Sequence, residues 1–260
     1  MPDPAPAPSI DLDLLRRRDP DRFLTALFAP PDRRAALLTL YAFNHELTRA
    51  REVTSEPTLA LIRLHWWREV VEGQRKRHEI ATPLSDAIAQ GLFVSSDLTA
   101  LIDAREAEAG AGIETLDDWR AWLLGGAGGL AVAAARLLGA PDPESFRGAG
   151  SAYGVASVLR ATATLAAQGR CLLPHDLLAR HGLSPEAAMA DPKAAEPAMA
   201  ELARFGLSLS TRAAATRATI AAALPGVLGR RDLRRWPAVH HPRRLMDRLS
   251  VTFHGLTGRS

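Results

Sequence analysis

The chain has 260 residues, 47% hydrophobic and 23% charged, the proportions of a folded globular protein and not of a disordered one. Its single cysteine, Cys171, excludes a disulfide framework and any zinc site built on several thiolates. All of the 32 basic residues except Lys76 and Lys193 are arginine, but they are dispersed and offset by 29 acids to a net +3, so no basic tract marks a nucleic-acid partner.

Aromatic residues are scarce, alanine is abundant, and apolar residues recur at helical spacing without the β-branched alternation of strands. An all-α fold follows. Residues 1–9 are proline-rich and lack the positive and apolar regions of a signal peptide. Residues 1–18 are expected to be a flexible tail ahead of a single helical domain over 19–260. Asp19-Pro20-Asp21 starts a helix through Phe23, Leu24, Leu27 and Phe28 that ends before Pro30-Pro31. A second begins near Asp32 and carries Leu37, Leu40, Tyr41, Asn44, Leu47, Thr48 and Arg51. Glu56-Pro57 opens a third, through Trp67 and Val71; Thr82-Pro83 opens a fourth and Ser95-Ser96-Asp97 a fifth. Asp117-Asp118 begins a sixth that meets Gly125-Gly126-Ala127-Gly128-Gly129. After the loop Pro141-Asp142-Pro143 a helix is expected over about 145–167. Short helices follow at 175–181 and from Ser184-Pro185, then longer stretches over about 194–224 and 242–254. The longest run without charge, 122–135, falls short of the roughly 20 residues that a membrane span needs. A cytoplasmic protein, with peripheral contact at the inner face of the membrane, is the expectation.

Several motifs are absent: a Walker loop, Gly-x-Gly-x-x-Gly after a strand, and His-Glu-x-x-His. No lysine follows the 125–129 glycines, so close helix packing explains them better than a phosphate loop. His240-His241 has no thiolate or carboxylate at metal spacing. Two polar segments remain. In the first, residues 41–52, Tyr41, Asn44, Thr48 and either Arg51 or Glu52 share one helical face. In the second, Arg160 is the only charge between Arg147 and Arg170. A guanidinium on an apolar helix stays charged and needs an anion or water. Pairing with Glu46, Glu52 or Glu106, contact with a ligand, and exposure are the three readings it leaves open.

The order of these segments resembles the squalene/phytoene synthase family over about 19–185. The resemblance is carried by Asp21-Arg22-Phe23-Leu24, Tyr41-Ala42-Phe43-Asn44, Arg63-Leu64-His65-Trp66-Trp67-Arg68-Glu69, Leu101-Ile102-Asp103-Ala104-Arg105-Glu106, the glycine-rich run near 125–139, Val158-Leu159-Arg160-Ala161 and Gly169-Arg170-Cys171-Leu172-Leu173-Pro174. It implies an isoprenoid-synthase-like helical bundle around a central apolar cavity. In active members of the family two aspartate-rich motifs hold magnesium, which binds the substrate diphosphate and assists its departure. Carried over residue by residue, the acids of the first motif fall on Thr48, Arg49 and Glu52. In the second, an asparagine falls on Ser157 and the acids on Ala161 and Leu165, while Arg160 keeps an arginine. Only Glu52 keeps a carboxylate, and one carboxylate cannot assemble a multi-metal site.

This loss resembles one branch of the family, with Ala42-Phe43-Asn44-His45-Glu46-Leu47 in place of the first motif, Leu159-Arg160-Ala161-Thr162 in place of the second, and His241-Pro242 matched. The branch includes a mitochondrial NADH:ubiquinone oxidoreductase assembly factor. It implies a non-catalytic helper in the assembly of respiratory complex I, with complex I subunits as partners and an isoprenoid or lipid in the cavity. Candidate ligand contacts are Tyr41, Asn44, His45, Thr48, Arg49, Glu52, Ser157 and Arg160, with no catalytic residue, metal ligand or cofactor. The alternative is an active isoprenoid diphosphate transferase of squalene, phytoene or hopanoid-precursor type. It requires Glu46, Glu52, Asp103 and Glu106 to rebuild a magnesium site. A third reading is a membrane-peripheral interaction protein whose cavity is filled by its own side chains.

Overall fold

Prolines and acids at segment heads set where the helices begin. In the computed structural model, which describes residues 12–52, 56–109, 112–210, 212–237, 243 and 245–258, the Asp19 carboxylate accepts the Arg22 backbone N–H at 3.1 Å. It thereby caps α2 (Pro20–Ala26), which follows α1 (Leu12–Arg18). Prolines also open α3 (Pro31–Glu52) and α4 (Pro57–Val71). Then come α5 (Ala81–Ala89), α6 (Ser95–Glu106), α7 (Leu116–Leu123), α8 (Gly129–Leu137) and α9 (Arg147–Ala167). The chain continues through α10 (His175–Arg180), α11 (Pro185–Ala190), α12 (Glu196–Leu209), α13 (Ile220–Arg235) and α14 (Leu245–Thr257). The described residues contain no strand, so the all-α expectation holds.

Two expectations need correction. The tail expected over 1–18 contains α1, whose Leu15 is buried; residues 1–11 lie outside the described residues. The stretch expected over 194–224 is two helices. Between them Ser210 donates to the Leu207 carbonyl (2.9 Å), and Thr219 accepts the Thr216 N–H (2.9 Å). Such local side-chain bonds compete with the helical ladder. Downstream, α13 runs through Pro225 to Arg235, because the residues around that proline are buried against α9.

The centre of the molecule is α9. Its residues from Ala149 to Ala156 are all buried, the signature of a helix enclosed on every side. It packs on α8, α12 and α13 and on a π-helical turn, Leu124–Gly128, that joins α7 to α8. Two apolar clusters share it. One takes Tyr153 together with Leu40, Phe43, Trp67 and Leu101; the other takes Val155 and Leu159 together with Trp119, Leu177 and Leu202. Small residues bring the backbones together: a Cβ on Gly154 would lie 2.5 Å from Ala127 Cβ, and one on Gly229 would lie 2.5 Å from Tyr153 Cα. Within the 125–129 run a Cβ on Gly128 would meet Ser151 Oγ at 2.5 Å, so close helix packing accounts for that glycine. Among the described residues no helix is long and apolar enough to cross a membrane.

This contact reverses the usual sign of a glycine-to-alanine change. In an open helix Gly229→Ala would add about 1 kcal/mol of stability. Here it meets backbone, and a loss of about 1–3 kcal/mol is expected. It would be read as a lower urea midpoint; a raised midpoint would rule out the backbone contact of α13 with α9.

Candidate functional site

Between α3 and α9 lies a cavity of about 350 Å³. Asn44, His45 and Thr48 of α3 form one wall, and Ser157, Ala161 and Leu165 of α9 form the facing one. The i, i+4 spacing explains the first wall: Thr48 Oγ1 donates to the Asn44 carbonyl at 3.0 Å, and the buried Asn44 side chain accepts Arg105 Nη2 at 3.4 Å. On the second, Ser157 Oγ donates to the Tyr153 carbonyl (2.8 Å) and accepts Arg160 Nη2 (3.1 Å). The cavity also meets Arg18, Asp19, Arg22, Arg105, Glu108 and Arg170. Glu108, buried after α6, accepts from Arg105 (2.5 Å), Trp122 Nε1 (3.0 Å) and Arg170 (3.5 Å). Arg22 donates to Asp19 at 2.9 Å, and its guanidinium lies 4.8 Å from the Tyr153 ring centre. Four guanidiniums thus face two carboxylates among the described lining residues, a balance that favours an anion.

The structure places four of the eight candidates, Asn44, His45, Thr48 and Ser157, on the cavity wall. Tyr41 is buried instead, with the Arg22 guanidinium 5.9 Å from its ring centre, and burial pushes its hydroxyl pKa up. Arg49 lies off the wall and pairs with Glu46 at 2.7 Å. Glu52 ends α3, but its side chain lies outside the described residues, as do His240, His241 and Pro242. Arg160 is paired with Asp232 and Asp21 and not with Glu46, Glu52 or Glu106, and it also lines a second cavity, beside α14.

These two acids belong to a buried charge cluster that joins distant parts of the chain. Arg243, just before α14, donates from Nη2 to Asp21 Oδ2 at 2.6 Å and from Nη1 to Asp232 Oδ1 at 2.6 Å. Arg160 donates to Asp232 and lies 3.7 Å from Asp21; the Tyr153 hydroxyl donates to Asp21 at 3.1 Å. Sequence reasoning found Arg160's need for an anion but not its partners. Asp21 and Arg243 are 222 residues apart, a separation that no local pattern encodes.

The model of the squalene/phytoene synthase family matches residues 15–252. The chain belongs to the squalene/phytoene synthase family. Among curated relatives, the proteins named NADH dehydrogenase (ubiquinone) complex I, assembly factor 6, from Bos taurus and Homo sapiens are 30% and 29% identical to it over 186 residues. The aligned region is 67% of this chain and 55% of each relative, so the chain spans about half of their length. Among solved structures, a dehydrosqualene synthase in complex with ligand superposes with a TM-score of 0.71, at 15% identity and over 95% of both chains. The squalene synthase HpnC from Alicyclobacillus acidocaldarius gives 0.65, at 18% identity, over 85% of this chain and 89% of that one. These two structures establish the shared isoprenoid-synthase fold.

The described residues of this family member do not fit the magnesium cluster that the resemblance implies. Where acids would stand, the cavity wall presents Thr48, Ala161 and Leu165. Of the acids able to rebuild a site, Glu46 is held by Arg49, and Asp103 and Glu106 by Arg68 at 2.6 and 2.8 Å. No group of three His, Cys, Asp or Glu side chains suited to a metal ion forms among the described residues.

The charge cluster has a measurable pH signature. Burial alone would raise the Asp21 carboxyl, but the hydrogen bond and charge of Arg243, the charge of Arg160 and the Tyr153 hydroxyl together hold it below its ordinary value of 3.8. A depressed folded pKa gives stability that is complete above the unfolded value and is lost as pH falls through the folded one. Asp21→Asn is therefore expected to cost about 3 kcal/mol at pH 7, since it leaves a buried guanidinium short of its anion. In urea titrations the gap from wild type should narrow below about pH 4. A gap independent of pH would show that the carboxylate's charge contributes nothing.

Proposed function

We propose that this member of the squalene/phytoene synthase family is a non-catalytic, ligand-holding factor of the complex I assembly type. The observation that carries the proposal is the composition of the cavity wall. At the positions where acids would hold magnesium it bears Thr48, Ala161 and Leu165, and guanidiniums surround it. Such a wall suits an amphiphile with an anionic head, an isoprenoid or other lipid, bound by arginine without a metal. The complex I assembly factors among its relatives support respiratory complex I as the system served. The cytoplasm, with peripheral contact at the inner face of the membrane, is the compartment proposed.

Three measurements test this. With farnesyl or geranylgeranyl diphosphate, the purified protein should release no diphosphate in magnesium, and magnesium-dependent release abolished by Glu52→Ala would show a rebuilt active site. Binding of geranylgeranyl diphosphate should be as tight in chelator as in magnesium. Arg170→Gln should weaken it by about tenfold, the effect of one charge-assisted hydrogen bond. In a strain lacking the gene, assembled complex I should fall and return on complementation.

A further inference from the structure

The helix α14 is amphipathic in the wrong direction for a helix that ends a globular fold. Its buried residues are Asp247, Val251 and Gly255, one per turn. Asp247 is held by Arg235 at 2.9 Å and Arg231 at 3.2 Å, and a Cβ on Gly255 would meet the Phe28 ring at 2.3 Å. The helix is thus docked on one defined face. Its other face carries Leu245, Met246, Leu249, Phe253 and Leu256, between 50% and 71% exposed. At 3.6 residues per turn these five fall within an arc of about 100°, opposite the docked face. Scattered exposed leucines need no account; five on one stripe of one helix do.

The charge beside it is mainly basic, since the two acids of the adjoining cavity, Asp19 and Asp21, are held by Arg22 and Arg243. Arg248 is the exposed charged residue of α14, since its one acid points inward. Arg248 also lines a second cavity, of about 690 Å³, together with Arg16 and Arg18 of α1 and the apolar Phe23, Leu24 and Leu27. At 13 residues α14 is too short to span a bilayer, but it can lie in its interface. A two-fold contact between copies would bring two cationic rims together. An anionic bilayer satisfies both the apolar stripe and the rim.

We propose that α14 docks the protein on a membrane containing anionic lipid, with Leu245, Met246, Leu249, Phe253 and Leu256 entering the interface and Arg16, Arg18 and Arg248 meeting lipid phosphates. The proposal rests on α14 and its rim and does not depend on what the cavity between α3 and α9 holds.

The test is co-sedimentation of the 260-residue protein with phosphatidylcholine vesicles, with and without phosphatidylglycerol. Binding is expected to require phosphatidylglycerol and to weaken with salt. The pair Leu249→Ser and Phe253→Ser should lower partition by about tenfold or more, with circular dichroism and melting unchanged because both side chains are exposed. The same change at the exposed Leu59 and Ile62 of α4 should leave partition unaltered. Replacing Arg16, Arg18 and Arg248 by glutamine should remove the preference for phosphatidylglycerol. Absence of wild-type binding, equal loss from the α4 pair, or full binding by the Leu249/Phe253 pair would each overturn the proposal. So would persistence of the lipid preference in the arginine variant. A dimer seen by light scattering and dissociated by Leu249→Ser/Phe253→Ser, without vesicle binding, would assign the face to a second copy and overturn it too.

Discussion

A guanidinium enclosed by protein must be matched by an anion, and Arg160 imposes that requirement on the whole fold. It lies on α9, the helix on which α7, α8, α11, α12 and α13 pack, where no neighbouring residue of α9 offers a carboxylate. The anions come from Asp21 on α2 and Asp232 on α13, and Arg243 completes the set. One electrostatic demand therefore ties the first part of the fold to α13 and to the segment that leads into α14. The tie specifies register as much as it stabilises, since breaking one partner strands a buried charge while well-packed apolar residues could replace the whole set.

The same accounting of anions explains the character of the cavity. Carboxylates near α9 are committed to arginine: Asp21 and Asp232 to Arg160 and Arg243, and Glu108 to Arg105 and Arg170. What remains on the wall is neutral, with Thr48, Ser157, Ala161 and Leu165, or cationic. That composition is what supports the anionic ligand proposed above in place of metal ions. Arginine supplies charge and fixed donors but not a metal's coordination sphere, so it suits holding an anionic head more than expelling one.

Much of the fold was legible in the residues. Proline and acid at segment heads located α2, α3 and α4, and the run of small apolar residues located α9. The i, i+4 spacing of Asn44 and Thr48 put both on the cavity wall, and Ser157 faces them. Tyr41 shares that helical face yet sits too deep, because the face is longer than the cavity and its first turn is closed by Arg22. The partners of Arg160 and the role of Glu108 were not legible, because contacts across tens or hundreds of residues leave no periodic trace. Nor was the orientation of α14. Its pattern shows an amphipathic helix, and the usual assumption that the apolar side faces inward is the one its packing reverses.

That reversal connects with the cavity. Arg18 and Asp19 line both the cavity between α3 and α9 and the larger one beside α14. The two spaces are neighbours along the α1–α2 junction, each with an arginine surplus and apolar residues beside it. A molecule suited to one chemistry suits the other: an amphiphile with an anionic head and an apolar body. With α14 seated in a bilayer interface, the second cavity would lie at the headgroup level, and Arg18 would stand between membrane lipid and the inner cavity. The buried cluster then acquires a mechanical role. By anchoring Arg243 immediately before α14, it holds the docking helix in a fixed relation to the cavity-bearing helix α9, so that the apolar stripe and the arginine-lined spaces keep one geometry with respect to the membrane surface.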